Sequence, residues 1–336
     1  MKISLIGIVY NLKDKSRTDD LHEEYDEIET IEAIRSELEA LGASVALIEQ
    51  TNDLASELIK IKPDMVFNIA EGIGKTRSRE SQVPCVLESL FIPYTASDPV
   101  SLGVTLDKYL TNAVLERSGV PVPAAFTAEN PEDAGKIAKS FCYKGEWILK
   151  PRWEGSSKGV FDDSLAFSSD EVERKAKRLM EIYEQPVIIE EYLPGDEITA
   201  AVRGNSHPEV FGMMKISPKD KKKNFIYSIE QKRDWRKKIV YEGEETVPGE
   251  IAAKIKEYAA LAFKALGLRD IARIDFRVDR NGIPKIIDVN PLPGLSPAYS
   301  DLVIMCRLSG RSYAEIIQSI ISNALGRYNA VIIKRS

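Results

Sequence analysis

Four polar residues in the last quarter of the chain, Arg273, Asp275, Asp288 and Asn290, are spaced so that a β-hairpin would gather them. They lie in two apolar-rich segments, 271–278 and 283–289, in which several positions alternate charged and apolar. Between the segments runs Asp279-Arg280-Asn281-Gly282, a tight-turn composition. With Asn281 and Gly282 as the two turn residues, Asp275 falls opposite Asp288 and Arg273 opposite Asn290, all on one face. Two carboxylates facing each other across a sheet repel unless something positive lies between them. Two carboxylates and an amide suit Mg²⁺, which takes few protein oxygens and keeps positions open for phosphate. The alternative is a solvated hairpin face with no task. Against it, Asp288-Val289-Asn290 runs directly into Pro291-Leu292-Pro293-Gly294, a rigid turn that would hold the pair at the end of the sheet.

Other residues extend this chemistry toward phosphate. Lys108 and Lys150 supply point charges, and Arg273 can grip two oxygens or stabilise an oxyanion. Ser156 and Ser157 lie in a Gly- and Ser-containing loop, 151–160, able to offer N–H and hydroxyl donors, although such clusters are also ordinary loops. Lys221 to Lys223 open a basic segment that reaches Lys238, either a lid that brings cations to phosphate or a solvated flexible loop. Together these residues point to nucleotide-driven phosphoryl transfer onto an oxygen nucleophile. The stretch from Glu71 to Glu80 contains Gly72-Ile73-Gly74-Lys75-Thr76 but lacks the spacing of a nucleotide phosphate loop. Arg77, Arg79 and Glu80 are either the lining of a substrate entrance or an ordinary polar helix start. His22 and His207, the two histidines, are read as surface or loop residues, which argues against a histidine zinc site or a Ser-His-Asp triad. The first strand also lacks the GxGxxG of a dinucleotide fold.

The elements that must position these residues alternate in type. A strand at 3–9, a helix from about Glu24 to Leu41 ended by Gly42, a strand at 44–48, a helix at 52–60 and a strand at 65–69 predict a parallel sheet covered by helices. A helix at 83–90 and a short strand at Pro93-Tyr94 close this unit near residue 100. A helix from Thr105 through Arg117, with Thr105 as cap and Asp107 in its first turn, opens the next. Helices at 131–140 and 169–184, strands at 147–150 and 187–191, an antiparallel pair at 198–203 and 209–216, and a helix at 250–266 lead into the hairpin, and a helix at 312–325 follows. At 336 residues the chain is long enough for two or three packed domains, and 43% apolar with 29% charged residues describes a soluble globular protein. A net charge of −6 gives no general reason to expect nucleic acid. Cys85, Cys142 and Cys306 form no CxxC unit, the N-terminus lacks a signal-peptide pattern, and no apolar run is long enough to span a membrane. A cytoplasmic protein is the expectation.

At this point the sequence resembles the ATP-grasp ligases, and within them the D-alanine–D-alanine ligase-like group. The resemblance rests on TLDKYLTNAVLERSGVPVP at 105–123, ILKPRWEGSSKGV at 148–160, VIIEEYLPGDE at 187–197 and ARIDFRVDRNGIPKIIDVNPLPGLSPAYS at 272–300, preceded by FNIAEGIGKTRSRESQVPCVLESLFIPYTASDP at 67–99. It implies an α/β protein of three-domain ATP-grasp architecture. An N-terminal parallel α/β domain would occupy 1–100, a central grasp subdomain 101–185, and a C-terminal α+β grasp subdomain with the metal site 186–336.

The resemblance also implies roles. ATP is the expected nucleotide and Mg²⁺ the expected metal, with Mn²⁺ as its substitute. Lys108, Lys150, Ser156 and Ser157 would meet phosphates, Glu190, Glu191 and Leu193 the adenine, and Glu197 the ribose. Asp275, Asp288 and Asn290 would hold the metal, Asp288 replacing the glutamate common in the group. Arg273 would stabilise the acyl phosphate and tetrahedral stages, with Gly294 donating from its backbone and Ser300 holding the acceptor carboxylate. The implied reaction activates a carboxylate as an acyl phosphate, which an amine then attacks, as in D-alanyl-D-alanine formation for peptidoglycan biosynthesis. Amino-acid or small carboxylate and amine substrates follow, no nucleic-acid or membrane partner is expected, and a homodimer is left open.

Two regions depart from the pattern. The amino-group glutamate of the D-alanine ligases has no clear counterpart, Glu23 and Glu24 being the candidates, and their tyrosine–lysine pair is represented by Tyr227 and Lys232. EGIGKTRSRESQ also stands where HGxxGEDGxxQ is usual. A ligase acting on another amino acid or carboxylate is therefore the alternative enzyme, and a non-catalytic nucleotide-binding module the alternative class.

Overall fold

The computed structural model describes residues 1–14, 16, 20, 22–140, 146–220 and 224–334. Lys221 to Lys223, Cys142 and part of the loop at 11–21 fall outside the described residues.

The chain enters as β1 (Lys2–Ile3) and β2 (Leu5–Tyr10), crosses by α1 (Ile28–Ala40) to β3 (Ser44–Glu49), and by α2 (Leu54–Ile61) to β4 (Met65–Asn68). β2 is the middle strand of a parallel three-stranded sheet in the order β3-β2-β4. β2 and β4 are almost wholly buried apolar runs, as expected of parallel strands covered on both faces. The helix expected from Glu24 starts instead at Ile28, because Glu24 is drawn away into a buried ion-pair cluster described below. Gly42 takes a positive φ of 96° just past the end of α1, the left-handed stop expected there. The short strand expected at Pro93-Tyr94 is a single bridge from Tyr94 to Val66.

α3 (Gln82–Ser89), α4 (Pro99–Leu106) and α5 (Lys108–Arg117) follow. The single helix expected from Thr105 is in fact two helices. Asp107 breaks them and caps α5, its Oδ1 accepting from Leu110 N at 3.2 Å, while Thr105 closes α4. β5 (Ala125–Ala128), α6 (Pro131–Ser140), β6 (Trp147–Pro151), β7 (Leu165–Ala166), α7 (Ser169–Tyr183) and β8 (Val187–Glu191) build an antiparallel four-stranded sheet in the order β5-β8-β6-β7. β8 is an inner strand of this sheet, so the central unit runs through Glu191 and the expected break between residues 185 and 186 falls inside it. α4 likewise straddles the expected break at residue 100.

The last unit holds β9 (Glu197–Gly204), β10 (Glu209–Pro218), two short helices, α8 (Ile229–Arg233) and α9 (Trp235–Lys238), then β11 (Ile239–Gly243), α10 (Gly249–Ala265), β12 (Asp270–Val278) and β13 (Pro284–Asn290). Its five strands form an antiparallel sheet in the order β11-β10-β9-β12-β13. α11 (Asp301–Leu308), α12 (Tyr313–Arg327) and β14 (Val331–Ile332) carry the chain back to the first sheet. α12 packs its Ile316, Ile317, Ile320 and Ile321 into one core with Ile3, Ile6, Ile31 and Ile34, and β14 pairs in parallel with β1. Burying four isoleucines contributes roughly 1.5–3 kcal/mol each, which binds the first and last thirds of the chain together. The cleft between the two antiparallel sheets is thereby closed on its third side by loops of the N-terminal unit.

Candidate active site

β12 and β13 place Asp275 opposite Asp288 and Arg273 opposite Asn290, the expected pairing, but by a different route. The turn is not a two-residue Asn-Gly turn. Asp279 N donates to Ile283 O at 2.9 Å, Arg280 to Gly282 form the loop, and Gly282 has a φ of 77°. The Asp279 Oδ1 accepts from Asn281 N at 2.8 Å and Ile283 N at 2.9 Å, fixing that loop. This shifts the register by one residue near the turn, where Arg277 faces Lys285. A β-bulge between Asp275 and Phe276, with Ile287 as the extra residue, then shifts it back. The error in turn type and the unforeseen bulge cancel at the carboxylates.

Asp275 is held tightly. Arg273 Nε and Nη2 each reach it at 2.9 Å, Thr199 Oγ1 donates to its Oδ1 at 2.6 Å, and Asn290 Nδ2 approaches its Oδ2 at 3.2 Å. Asp288 accepts from Lys108 Nζ at 2.9 Å, so α5 reaches across to β13. Burial disfavours the Asp288 charge, yet Lys108, Lys150 and Arg273 overcome that and lower its pKa. Burial likewise opposes the charges of Lys108 and Arg273. Asp288 beside the one, and Asp275 with Asp301 beside the other, raise both pKa values. Among the described residues no three His, Cys, Asp or Glu side chains converge into a metal cage. Two facing carboxylates and the Asn290 amide nevertheless fit a magnesium ion whose remaining positions are taken by phosphate oxygens.

A cavity of about 860 Å³ lies between the two antiparallel sheets and contains the residues expected to hold the nucleotide, namely Lys108, Lys150, Ser157, Glu190, Glu191, Leu193, Glu197 and Lys232. Lys150 pairs with Glu190 at 2.8 Å and Glu191 with Lys285 at 2.8 Å. Arg277 approaches Glu197 at 3.2 Å, but burial prevails and raises the Glu197 pKa. Ser156 and Ser157 are consecutive left-handed residues, with φ of 49° and 60°. Such strain costs on the order of 1–3 kcal/mol per residue and is characteristic of ligand clamps. The Ser157 hydroxyl donates to Tyr227 O at 3.1 Å, and Lys232 Nζ lies 5.0 Å from the centre of the Tyr227 ring. The Tyr227 hydroxyl engages Tyr241 at 2.6 Å and Asp301 at 3.0 Å.

A second cavity, about 550 Å³, shares Lys108, Glu154 and Asp288 with the first and is lined further by Arg273, Asn290, Gly294, Ser156, Glu24, Glu71 and Glu80. Gly294 and Ser300 are neighbours, since a Cβ on Gly294 would lie 2.9 Å from Ser300 Oγ, and with Arg273 they line an adjoining cavity. The Ser300 hydroxyl accepts from Ser296 N at 2.8 Å. Of the two candidate glutamates, Glu23 pairs outside with Arg233 at 2.9 Å, whereas Glu24 enters the site. Glu24 meets Arg79 at 3.1 Å, Lys158 at 2.9 Å and Gly155 N at 2.7 Å. Burial works against its charge, but Lys158 and Arg79 lower its pKa to about 2. Glu154 completes this cluster against the same two cations.

Arg79 and Glu80 are therefore buried in the site, while Arg77 is more than half exposed. His207 is exposed and His22 stacks on Tyr25. Sequence reasoning missed Thr199, Arg277, Glu154 and Asp301, and it read Lys158 as a donor of the phosphate loop, where the structure pairs it with Glu24 and Glu154. Arg277 was open to the same alternation that revealed Arg273 and Asp275. The others are brought in by β9 and by loops with no periodicity to read.

The chain resembles known proteins over most of its length. The family model described as D-ala D-ala ligase C-terminus matches residues 115–322. The D-alanine--D-alanine ligase of Carboxydothermus hydrogenoformans is 29% identical, covering 88% of this chain and 92% of that protein. The D-alanine--D-alanine ligase of Caulobacter vibrioides is 31% identical over 77% of this chain and 76% of that protein. Among solved structures, the D-alanine--D-alanine ligase of Bacillus anthracis complexed with ATP superposes with a TM-score of 0.72 at 21% identity, covering 97% of this chain and 98% of that one. These matches take in both antiparallel sheets and the cavity between them.

Proposed function

This chain belongs to the D-alanine–D-alanine ligase family, and from that premise we propose that it is an ATP-dependent carboxylate–amine ligase working through an acyl phosphate. One observation carries the reading. Arg273 and Asp275 are hydrogen-bonded to each other, yet Arg273 lines the smaller cavity and Asp275 the larger, and Lys108 and Asp288 line both. A phosphate donor in one cavity and a carboxylate in the other would meet across this wall.

Glu190, Glu191 and Leu193 take the adenine and Glu197 the ribose. Lys108, Lys150 and the Ser156-Ser157 loop take the phosphates. The loop is a tight turn closed by Lys158 N donating to Gly155 O at 2.9 Å, with Ser156 and Ser157 at its tip. Asp275, Asp288 and Asn290 would hold magnesium, which when bound neutralises phosphate charge during transfer. Arg273 stays charged at any working pH and stabilises the oxyanion that develops on the acyl phosphate and on the tetrahedral adduct. Gly294 N–H donates beside it, and Ser300 holds the carboxylate of the attacking amino acid. The Glu24 cluster ties the N-terminal unit to the Ser156 loop through Gly155, so that closing the loop also completes the substrate wall.

The relatives' names support amino-acid substrates and a part in peptidoglycan synthesis, and a cytoplasmic location belongs to the same proposal. The test is ADP release with magnesium and ATP across pairs of D- and L-amino acids. Stimulation by at least one pair, with an amide product, is expected, and no stimulation by any pair would remove the ligase reading.

A further inference from the structure

The smaller cavity carries more negative charge than its own cations can balance. Glu24 and Glu154 are matched by Arg79 and Lys158, Asp288 by Lys108, and Asp275 by Arg273. Glu71 and Glu80 remain. Glu80 is only 7% exposed, lines the cavity, and has no hydrogen bond or ion pair from its carboxylate among the described residues. Glu71 lines the same cavity and an adjoining one that also holds Asp26. The pairing of Glu71 with Glu80 is enforced by the backbone. Gly72 has a φ of 90°, and a Cβ on it would sit 2.1 Å from the carbonyl oxygen of Arg79, so the loop is pinched there and its two ends are brought together.

A buried carboxylate and a partly buried one beside it, neither with an ion pair, are costly, and their surroundings favour protonation or an incoming cation. Burial first, and Glu80 and Glu24 second, push Glu71 well up, while burial carries Glu80 up to about 8 against the opposing pull of Arg79. A metal ion fits poorly, since no three acidic or histidine groups converge among the described residues. An organic ammonium fits better, because it needs only separated acceptors. Arg273, Gly294 and Asn290, which line the same cavity, suit a carboxylate. A molecule spanning the cavity thus has its carboxylate at Arg273 and positive charge at Glu71 and Glu80. A neutral-side-chain amino acid brings one ammonium and leaves one carboxylate unmatched. We infer that Glu71 and Glu80 select, as the carboxylate substrate, an amino acid carrying a second cationic group in its side chain. This inference rests on the ligase reading for the orientation of the carboxylate, but its binding test does not.

The test is calorimetric titration of the intact protein, loaded with magnesium and a non-hydrolysable ATP analogue, with both enantiomers of ornithine, lysine and norleucine. Norleucine replaces the ornithine ammonium by a methyl group. Ornithine or lysine in one hand is expected to bind at least tenfold tighter than norleucine of that hand. Glu80→Gln is expected to remove most of that preference while leaving the analogue's affinity unchanged. Glu71→Gln serves the same purpose should Glu80→Gln fail to fold. Norleucine binding as tightly as the diamino acids, a variant weakening both equally, or no binding of either diamino acid would overturn the assignment. Tight diamino-acid binding without ADP release in the presence of any amine would instead overturn the ligase reading and leave the pocket assignment standing.

Discussion

The two walls of the cleft are built on different principles. On the nucleotide side, charges sit on regular strands and nearly every one has an opposite partner within hydrogen-bond reach, as Asp275 has Arg273 and Lys150 has Glu190. On the substrate side, the groups come from loops of the N-terminal unit, and Glu71 and Glu80 are left without partners among the described residues. A matched wall is indifferent to what enters until a multiply charged ligand rearranges it. An unmatched wall already states the charge of its ligand. Charge-matched groups thus reside on the sheet and the unmatched ones in the loops, in line with the general division between scaffold and functional loop.

The sharpest way to break this contrast is Arg273→Ala. Losing a donor aimed at the developing oxyanion should lower kcat by about 10²–10³-fold, with the Michaelis constant for ATP changing little, as steady-state ADP release would record. A loss confined to the ATP constant would instead put Arg273 on the nucleotide side. Next comes Glu24→Gln, which uncouples the matched cluster from the loop. The folded Glu24 pKa of about 2 lies below its ordinary 4.5, so its contribution is complete above pH 4.5 and is lost as pH falls toward 2. At neutral pH the substitution should cost on the order of 3 kcal/mol, measurable by denaturant unfolding.

Glu80→Gln should act in the opposite direction. Its folded pKa of about 8 lies above the ordinary 4.5, so the folded state keeps a proton that the unfolded chain releases, and stability falls as pH rises from about 4.5 to 8. Glutamine cannot ionise, so the variant should gain on the order of 4 kcal/mol over the parent at pH 8 and little at pH 4. A parent whose melting temperature is flat across that range would show that Glu80 is already compensated. The smallest effect is expected for Asp288→Glu, which restores the residue common in the family and should alter kcat/KM by no more than about threefold. Each CH₂ lengthens the reach of the carboxylate without changing its charge.

The sequence disclosed these walls unequally, for physical reasons. The hairpin face was legible because strand alternation turns spacing into facing, and Arg273, Asp275, Asp288 and Asn290 follow from it. Lys108 and Lys150 were grouped with phosphate chemistry by charge type, and the family resemblance supplied the roles expected of them. Most helices and strands announced themselves by periodicity. Glu24 was misread as helical because it sits four residues before a true helix in an acidic stretch, and only the distant Arg79 and Lys158 pull it aside. Asp107 was taken for a first-turn residue because nothing local shows that Arg152, at 2.8 Å, and the start of a second helix compete for it. The first core's dependence on α12 depends on contacts between the two ends of the chain, which no window of sequence contains.

The bulge at Ile287 gives the hairpin a tolerance of its own. The loop from Arg280 to Gly282 sets one phase for the strand that follows, and Ile287 resets it before Asp288 is reached. Loop length and the facing of the two aspartates are thereby decoupled into two separately adjustable segments. A related chain could close the hairpin with a two-residue loop and no bulge, keep the same number of residues between the two aspartates, and still set them opposite each other, the same site written in a different phase.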